Sequence, residues 1–166
     1  LDCSQNQLKE LNVSTNTALT QLNCSQNQLK ELNVSTNTAL KELNCYSNNL
    51  VTLDVNQNTA LTTFYCSKNQ LTNVNLKNGK NTFLAKLTFT ENPNLYCISV
   101  DDVAYANTNW NTLKDVNALF SSYDCSTITQ IPDPLFEDKL IALGIDTDGK
   151  NGLVVNSSIA AVTTLD

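Results

Sequence analysis

The sequence predicts a solenoid of stacked rungs, rich in β-structure, with two short parallel strands in each 21-residue rung and small helical caps. Three observations predict it. Residues 1 to 21, LDCSQNQLKELNVSTNTALTQ, recur as residues 22 to 42, changed only at Asp2/Asn23, Thr20/Lys41 and Gln21/Glu42. Self-similarity at a period of this size marks a repeat architecture, in which each unit buries its apolar face against the next. A second period lies inside the first, where Leu22, Cys24 and Asn27 are echoed by Leu32, Val34 and Asn37. The third observation is composition: 25 Asn and 20 Thr stand beside 4 Gly and 3 Pro in 166 residues, so side-chain amides and hydroxyls must serve the turns.

Each element follows from that nesting. Leu-x-Cys and Leu-x-Val alternate with a period of two, which places the apolar pair inward and the intervening Asn or Asp outward. Stacked at about 4.8 Å, such segments form two parallel in-register sheets, one along each side of the rungs. Ser, Gln, Asn and Thr turn the chain, with Asn expected to supply the tight bends, and Leu8, Leu29 and Leu50 or Leu19, Leu40 and Leu61 return it to the core. A third copy spans residues 43 to 63. A fourth, residues 64 to 86, is two residues longer and is expected to bulge over 73 to 86, where Gly79 replaces the Asn turn. Leu87 opens a decaying fifth.

Two columns run through the copies. Asn6, Asn27, Asn48, Asn69 and Asn92, with Asn16, Asn37 and Asn58 opposite, are expected to form a structural ladder that bonds backbone groups freed at the turns; a polar ligand-binding row is the alternative. Cys3, Cys24, Cys45 and Cys66 recur at an inward position that Phe89 takes in the fifth copy, and are expected to be reduced, buried thiols. In-register Cβ atoms would stand too far apart for disulfides, and a straight file does not offer the tetrahedral convergence of a zinc site.

LKELNVSTNTALTQLNCSQNQL resembles the LxxLxLxxNxL signature of bacterial leucine-rich repeats written twice, the nested 21-residue, IRREKO-type subclass found in surface proteins of Bacteroidetes such as flavobacteria. The resemblance covers residues 1 to about 100. It implies an extracellular scaffold, with secretion or sorting segments elsewhere and no catalysis within the repeats.

Beyond residue 96 the pattern changes. Cys97 leaves the inward register, since Ile98 and Val100 hold the apolar places, and Cys125 is its natural disulfide partner. Such a bridge fits an oxidising compartment. Asp101-Asp102 opens a short expected helix ending near Trp110, an aromatic plug. Residues 131 to 144 begin with Pro, place Leu135, Phe136, Leu140 and Leu143 at helical spacing and stop at Gly144, which predicts an amphipathic cap helix. With the terminal AVTTLD, this segment resembles the N-terminal cap of a further leucine-rich block. The expected division is a repeat block over 1–100, its C-terminal cap over 101–126, and over 127–166 the cap and first strand of a following block. Asp146-x-Asp148-Gly resembles the start of an EF-type calcium loop, but Lys150 occupies a ligand place, Asn151 the turn glycine and Ser157 the bidentate Glu. Asp146 and Asp148 are the metal candidates, with a plain turn as the favoured reading and no other cofactor expected.

The chain has no His, Arg or Met, so His-based triads, HExxH zinc sites and arginine phosphate clamps are excluded. The net charge of −6 gathers in the last 68 residues and offers no basic footprint for nucleic acid. No apolar run is long enough to cross a bilayer. Lacking Met, the sequence is expected to be a piece of a longer protein. A non-catalytic extracellular or cell-surface scaffold is expected, for adhesion or for binding a protein or surface glycan; the alternative is a structural stalk or filament assembled head to tail through its ends. Outward Ser4/Ser25, Gln5/Gln26 and Ser14/Ser35 are nearly invariant between copies, as in a spacer, and such rows also admit ice or glycan binding. Tyr46 and Tyr65 are the candidates for sugar stacking.

Overall fold

The computed structural model describes residues 1–160 and 162. The expected strand at Leu165-Asp166 lies outside the described residues. The chain divides into two units, Leu1–Ser122 and Tyr123–Asp166, so the repeats and the segment expected to cap them form one body, with the boundary just ahead of Cys125.

In the first unit the strands are β1 (Gln21–Asn23), β2 (Glu42–Asn44), β3 (Thr52–Asp54), β4 (Thr63–Tyr65), β5 (Asn73–Asn75), β6 (Lys86–Thr88), β7 (Cys97–Ser99) and β8 (Leu119–Ser121), with helix α1 (Val103–Trp110) between the last two. They form two parallel sheets, β1-β2-β4-β6 and β3-β5-β7-β8. The register advances by one copy at each step: Leu22 pairs with Leu43, Leu43 with Phe64, Phe64 with Leu87. Between the sheets lies one core of Leu, Val, Cys and Phe side chains, among them Leu29, Leu40, Leu50, Leu61 and Leu71.

The expectation of two strands in every rung needs one correction. The second sheet begins only at β3; residues 10–12 and 31–33, its counterparts in the first two copies, are not strands. Among the described residues no backbone hydrogen bond joins 9–13 to 30–34, or 30–34 to 51–55. Between the first two copies charge opposes pairing. Stacking identical copies in register would set Lys9 over Lys30 and Glu10 over Glu31, and like charges directly opposed on a sheet are destabilising. At the third copy Val51 and Thr52 replace them, Thr72 and Asn73 follow, and the ladder closes. The first sheet, whose outward file reads Gln21, Glu42, Thr63, Lys86, carries no such clash and runs through all its rungs.

The bends are also made differently from expectation. The left-handed residues are Gln5, Gln26, Ser47, Lys68 and Glu91, φ +55° to +60°, each one place before the ladder Asn. The Asn side chain donates back to carbonyls two and three residues earlier, which locks the turn and leaves its predecessor to adopt the strained conformation. In the long fourth copy Gly79, φ +73°, and a short 3-10 turn at Asn81–Phe83 absorb the two extra residues.

The second unit contains β9 (Ile128–Gln130), α2 (Pro134–Ala142), β10 (Leu153–Val155) and α3 (Asn156–Ile159), with β9 and β10 antiparallel. Asp133 caps α2 by accepting from Leu135 and Phe136 backbone N–H groups. The apolar stripe expected on this helix is not its buried face: Leu140 is buried, but Leu135 is 77% exposed and Leu143 51%, while Glu137 is buried in their place.

Candidate functional site

The ladder amides are built into the turns. Asn48 Nδ2 donates to Cys24 O of the previous rung (3.0 Å) and Cys45 O of its own (3.1 Å), while its Oδ1 accepts the Leu29 N–H at 3.0 Å. Asn27, Asn69 and Asn92 repeat this pattern, so one side chain ties two rungs together at both its ends. Asn6, with no earlier rung, bonds only Cys3 O and Ser4 O. On the opposite side Asn37 and Asn58 use Nδ2 alone, and their buried Oδ1 atoms have no partner. From the second rung on these amides are spent on the turns, whereas Asn6 and Asn16 in the first rung are exposed.

The four recurring cysteines are free thiols. Each Sγ donates to a carbonyl of the next rung, Cys3 to Asn23, Cys24 to Asn44, Cys45 to Tyr65 and Cys66 to Thr88, at 3.4 to 3.6 Å. Burial, with the neighbouring thiol adding to it, pushes Cys24 up to about 12, and burial drives Cys45 and Cys66 upward as well. A thiol so protonated is a poor nucleophile and a poor ligand. Cys3 is only half-buried. Brief alkylation of the native protein followed by mass analysis is therefore expected to label Cys3 alone; Cys24, Cys45 and Cys66 should react only on unfolding, and rapid native labelling of Cys45 would contradict the buried column. Cys97 and Cys125 are joined in a disulfide.

Two aspartates whose partners are not visible in the sequence take turn N–H groups. At each first-side turn the left-handed residue donates its N–H to the next rung: Gln26 to Tyr46 O at 2.8 Å, Ser47 to Ser67 O at 3.0 Å, Lys68 to Thr90 O at 3.1 Å. At the last such turn no rung follows, and the Asp115 carboxylate takes the N–H groups of Glu91 (3.1 Å) and Asn92 (2.6 Å). On the other side the Asp101 carboxylate takes the N–H groups of Gly79 and Asn81, joining two rungs of a sheet that continues to β8. Of the acidic pair expected to open the helix, Asp102 caps α1 by accepting the Tyr105 N–H, and Asp101 serves the turn instead. Behind these aspartates Phe64, Phe89, Phe120, Trp110 and Tyr105 form a continuous edge-to-face file.

The first sheet turns one face outward. Its files read Gln21, Glu42, Thr63, Lys86 and Asn23, Asn44, Tyr65, Thr88. Tyr46 and Tyr65 are both half-buried and sit in adjacent files on successive rungs, with Lys68 Nζ 5.9 Å from the Tyr46 ring centre. Ser25, expected outward, is buried and donates to Asn23 Oδ1 at 2.8 Å. Ser14 and Ser35 are exposed beside a concavity of about 680 Å³ that follows the unpaired second side of the first three copies, between Glu10, Glu31 and Asp54.

In the second unit Asp146 is buried and Asp148 exposed, and the fold adds Glu137 to them: Glu137 Oε1 accepts the N–H groups of Asn151 (2.6 Å) and Gly152. Among the described residues no three His, Cys, Asp or Glu stand together in ligand geometry. Nor does any helix among them have the length and apolarity to cross a membrane.

No protein-family model and no curated protein matches the sequence. Among solved structures, the functional domain of InlJ from Listeria monocytogenes, described as including a cysteine ladder, is similar to this chain at 29% identity and a TM-score of 0.46, over 60% of this chain and 30% of that one.

Proposed function

We propose that the chain is a non-catalytic, extracellular or cell-surface scaffold that presents the outward face of its first sheet to a protein partner. The observation that carries this reading is a contrast along the strands. Inward positions are conserved in kind from rung to rung, Leu22, Leu43, Phe64 and Leu87, whereas outward ones diverge, and the divergence gathers from the third rung onward at Tyr46, Tyr65, Lys68 and Lys86. A spacer needs no such gradient. Tyr side chains that keep part of their ring exposed supply contact area at low entropic cost, and lysines beside them supply polar specificity. The disulfide fits an oxidising compartment.

Head-to-tail assembly is the weaker reading, because at the last turn of the first side the N–H groups that would pair with a following rung are already taken by Asp115. Glycan stacking on Tyr46 and Tyr65 remains the alternative occupant of the same face.

The test returns the third and fourth rungs to the outward residues of the second, as Tyr46→Ser, Tyr65→Asn and Lys68→Gln. Binding to an array of surface proteins and glycans is expected to show protein ligands for the native chain, lost in this variant with the melting temperature unchanged. Binding that survives the substitutions would overturn the assignment of this face, and a glycan-only profile would replace the protein partner. Sedimentation should show monomers; concentration-dependent fibres would favour the filament reading.

A further inference from the structure

The second unit withdraws two carboxyl groups from water and offers them no positive charge. Glu137 is 3% exposed and Asp146 is 4%. Glu137 is satisfied through Oε1 by the Asn151 and Gly152 N–H groups, which pins the end of the loop from 146 to 152 to the first turn of α2. Asp146 is not. Its Oδ1 accepts the Asp148 N–H at 3.4 Å, and its Oδ2 is buried with no hydrogen-bond partner. Asp148 and Glu137 are its charged neighbours, both acidic. The nearest basic side chain in sequence, Lys150, is turned away into an ion pair with Asp138 at 2.6 Å.

A buried carboxylate in such surroundings must be neutralised, either by a proton or by a cation. The loop favours a cation for three reasons. Asp146 and Asp148 stand two apart on one turn, as paired oxygen donors of a calcium loop do. Gly149 and Gly152 take φ +94° and +79°, so the chain coils tightly; the Gly152 carbonyl accepts the Ile131 N–H, and those of residues 147 to 151 are the candidate neutral donors. The donors are all oxygen, with no thiolate or imidazole, which selects a hard ion. Lys150, which breaks the EF-type pattern in the sequence, is removed from the loop centre by Asp138.

We propose that the loop Asp146–Gly152 binds one calcium ion, with the unpartnered Oδ2 of Asp146 and the carboxylate of Asp148 supplying charge, loop carbonyls and water completing the shell, and Glu137 acting as the positioning residue that clamps the loop. Because only two carboxylates are direct donors, binding is weak, in the range of about 0.1 to 1 mM that serves extracellular modules.

The test is calorimetric titration of the whole, EDTA-treated and dialysed chain with CaCl2 and, separately, MgCl2 at neutral pH, with melting curves alongside. About one equivalent of Ca2+ is expected to bind, Mg2+ more weakly, and millimolar Ca2+ should raise the melting temperature of the second unit. Asp148→Asn, an exposed position that the fold tolerates, should weaken binding at least tenfold, as should Asp146→Asn; Lys150→Ala should not weaken it. Absence of binding heat and of any melting shift at 10-fold above that range would overturn the proposal, as would binding unchanged in both aspartate variants. Stabilisation on acidification that Asp146→Asn abolishes, with no response to Ca2+, would assign the charge to a proton instead and equally overturn it.

Discussion

Asn69→Ala is expected to destabilise the repeat unit by about 2–6 kcal/mol, far more than its size suggests. The side chain donates to Cys45 O and Cys66 O at 3.0 Å and accepts the Leu50 N–H at 3.0 Å, all buried. Alanine strands the buried Leu50 N–H, at about 1–3 kcal/mol, and takes one bond each, at about 0.5–1.5 kcal/mol, from Cys45 O and Cys66 O, which keep the Asn48 and Asn92 amides. Two comparisons isolate the cause. Gln70→Ala, one residue on and exposed, should change stability by less than about 0.5 kcal/mol. Asn58→Ala should fall between, because its amide donates to Val34 O and Asn37 O but its buried Oδ1 has no bond to lose. Denaturant unfolding of the three variants decides it: equal, small losses for Asn69 and Gln70 would show that the turn groups find other partners.

The second large effect comes from restoring the repeat. Phe89 stands where every earlier copy has cysteine, so Phe89→Cys makes the fifth copy more like the others, yet it is expected to cost about 3–4 kcal/mol, as large-to-small core changes do. The ring is fully buried and packs edge-to-face on Phe64, 6.0 Å between centres, and on Phe120 at 6.5 Å. Cysteine there leaves a cavity that α1 and β8, fixed by Trp110 and by Asp115, cannot collapse to fill. The loss should appear as earlier melting in a thermal scan; a variant as stable as the parent would mean that the aromatic file is dispensable.

The pH response of the second unit follows from Asp146. Desolvation, with Asp148 and Glu137 adding to it, raises this carboxyl to about 6. In the EDTA-treated chain a folded-state value above the unfolded one favours the protonated fold, so stability present at low pH is lost as pH rises from about 4 through 6, a loss that melting curves should show and millimolar Ca2+ should offset.

The rungs, their two columns and the departure of Cys97 were legible because a translational repeat puts each residue type in one environment several times over, so position and environment become the same question. Leu22, Leu43 and Cys45 could be placed inward from alternation alone, and the paired turns from the recurrence of Asn. The unpaired second side of the first copies was legible in principle, in the stacked Lys9/Lys30 and Glu10/Glu31, but periodicity speaks of sameness and gives no weight to the repulsion that sameness creates. Tertiary structure decided the rest. Asp101 and Asp115 lie 20 and more residues from the N–H groups they take, outside any repeat, and an isolated aspartate in a sequence has no visible partner. In α2 the spacing of Leu135, Phe136 and Leu143 defined an apolar stripe, but which face is buried depends on what packs there, and the loop from 146 to 152 packs on Glu137. A side chain's bonding to a residue fifteen places away is a property of the folded chain, because only the closed turn brings those N–H groups to one point and makes burying a carboxylate cheaper than burying a leucine.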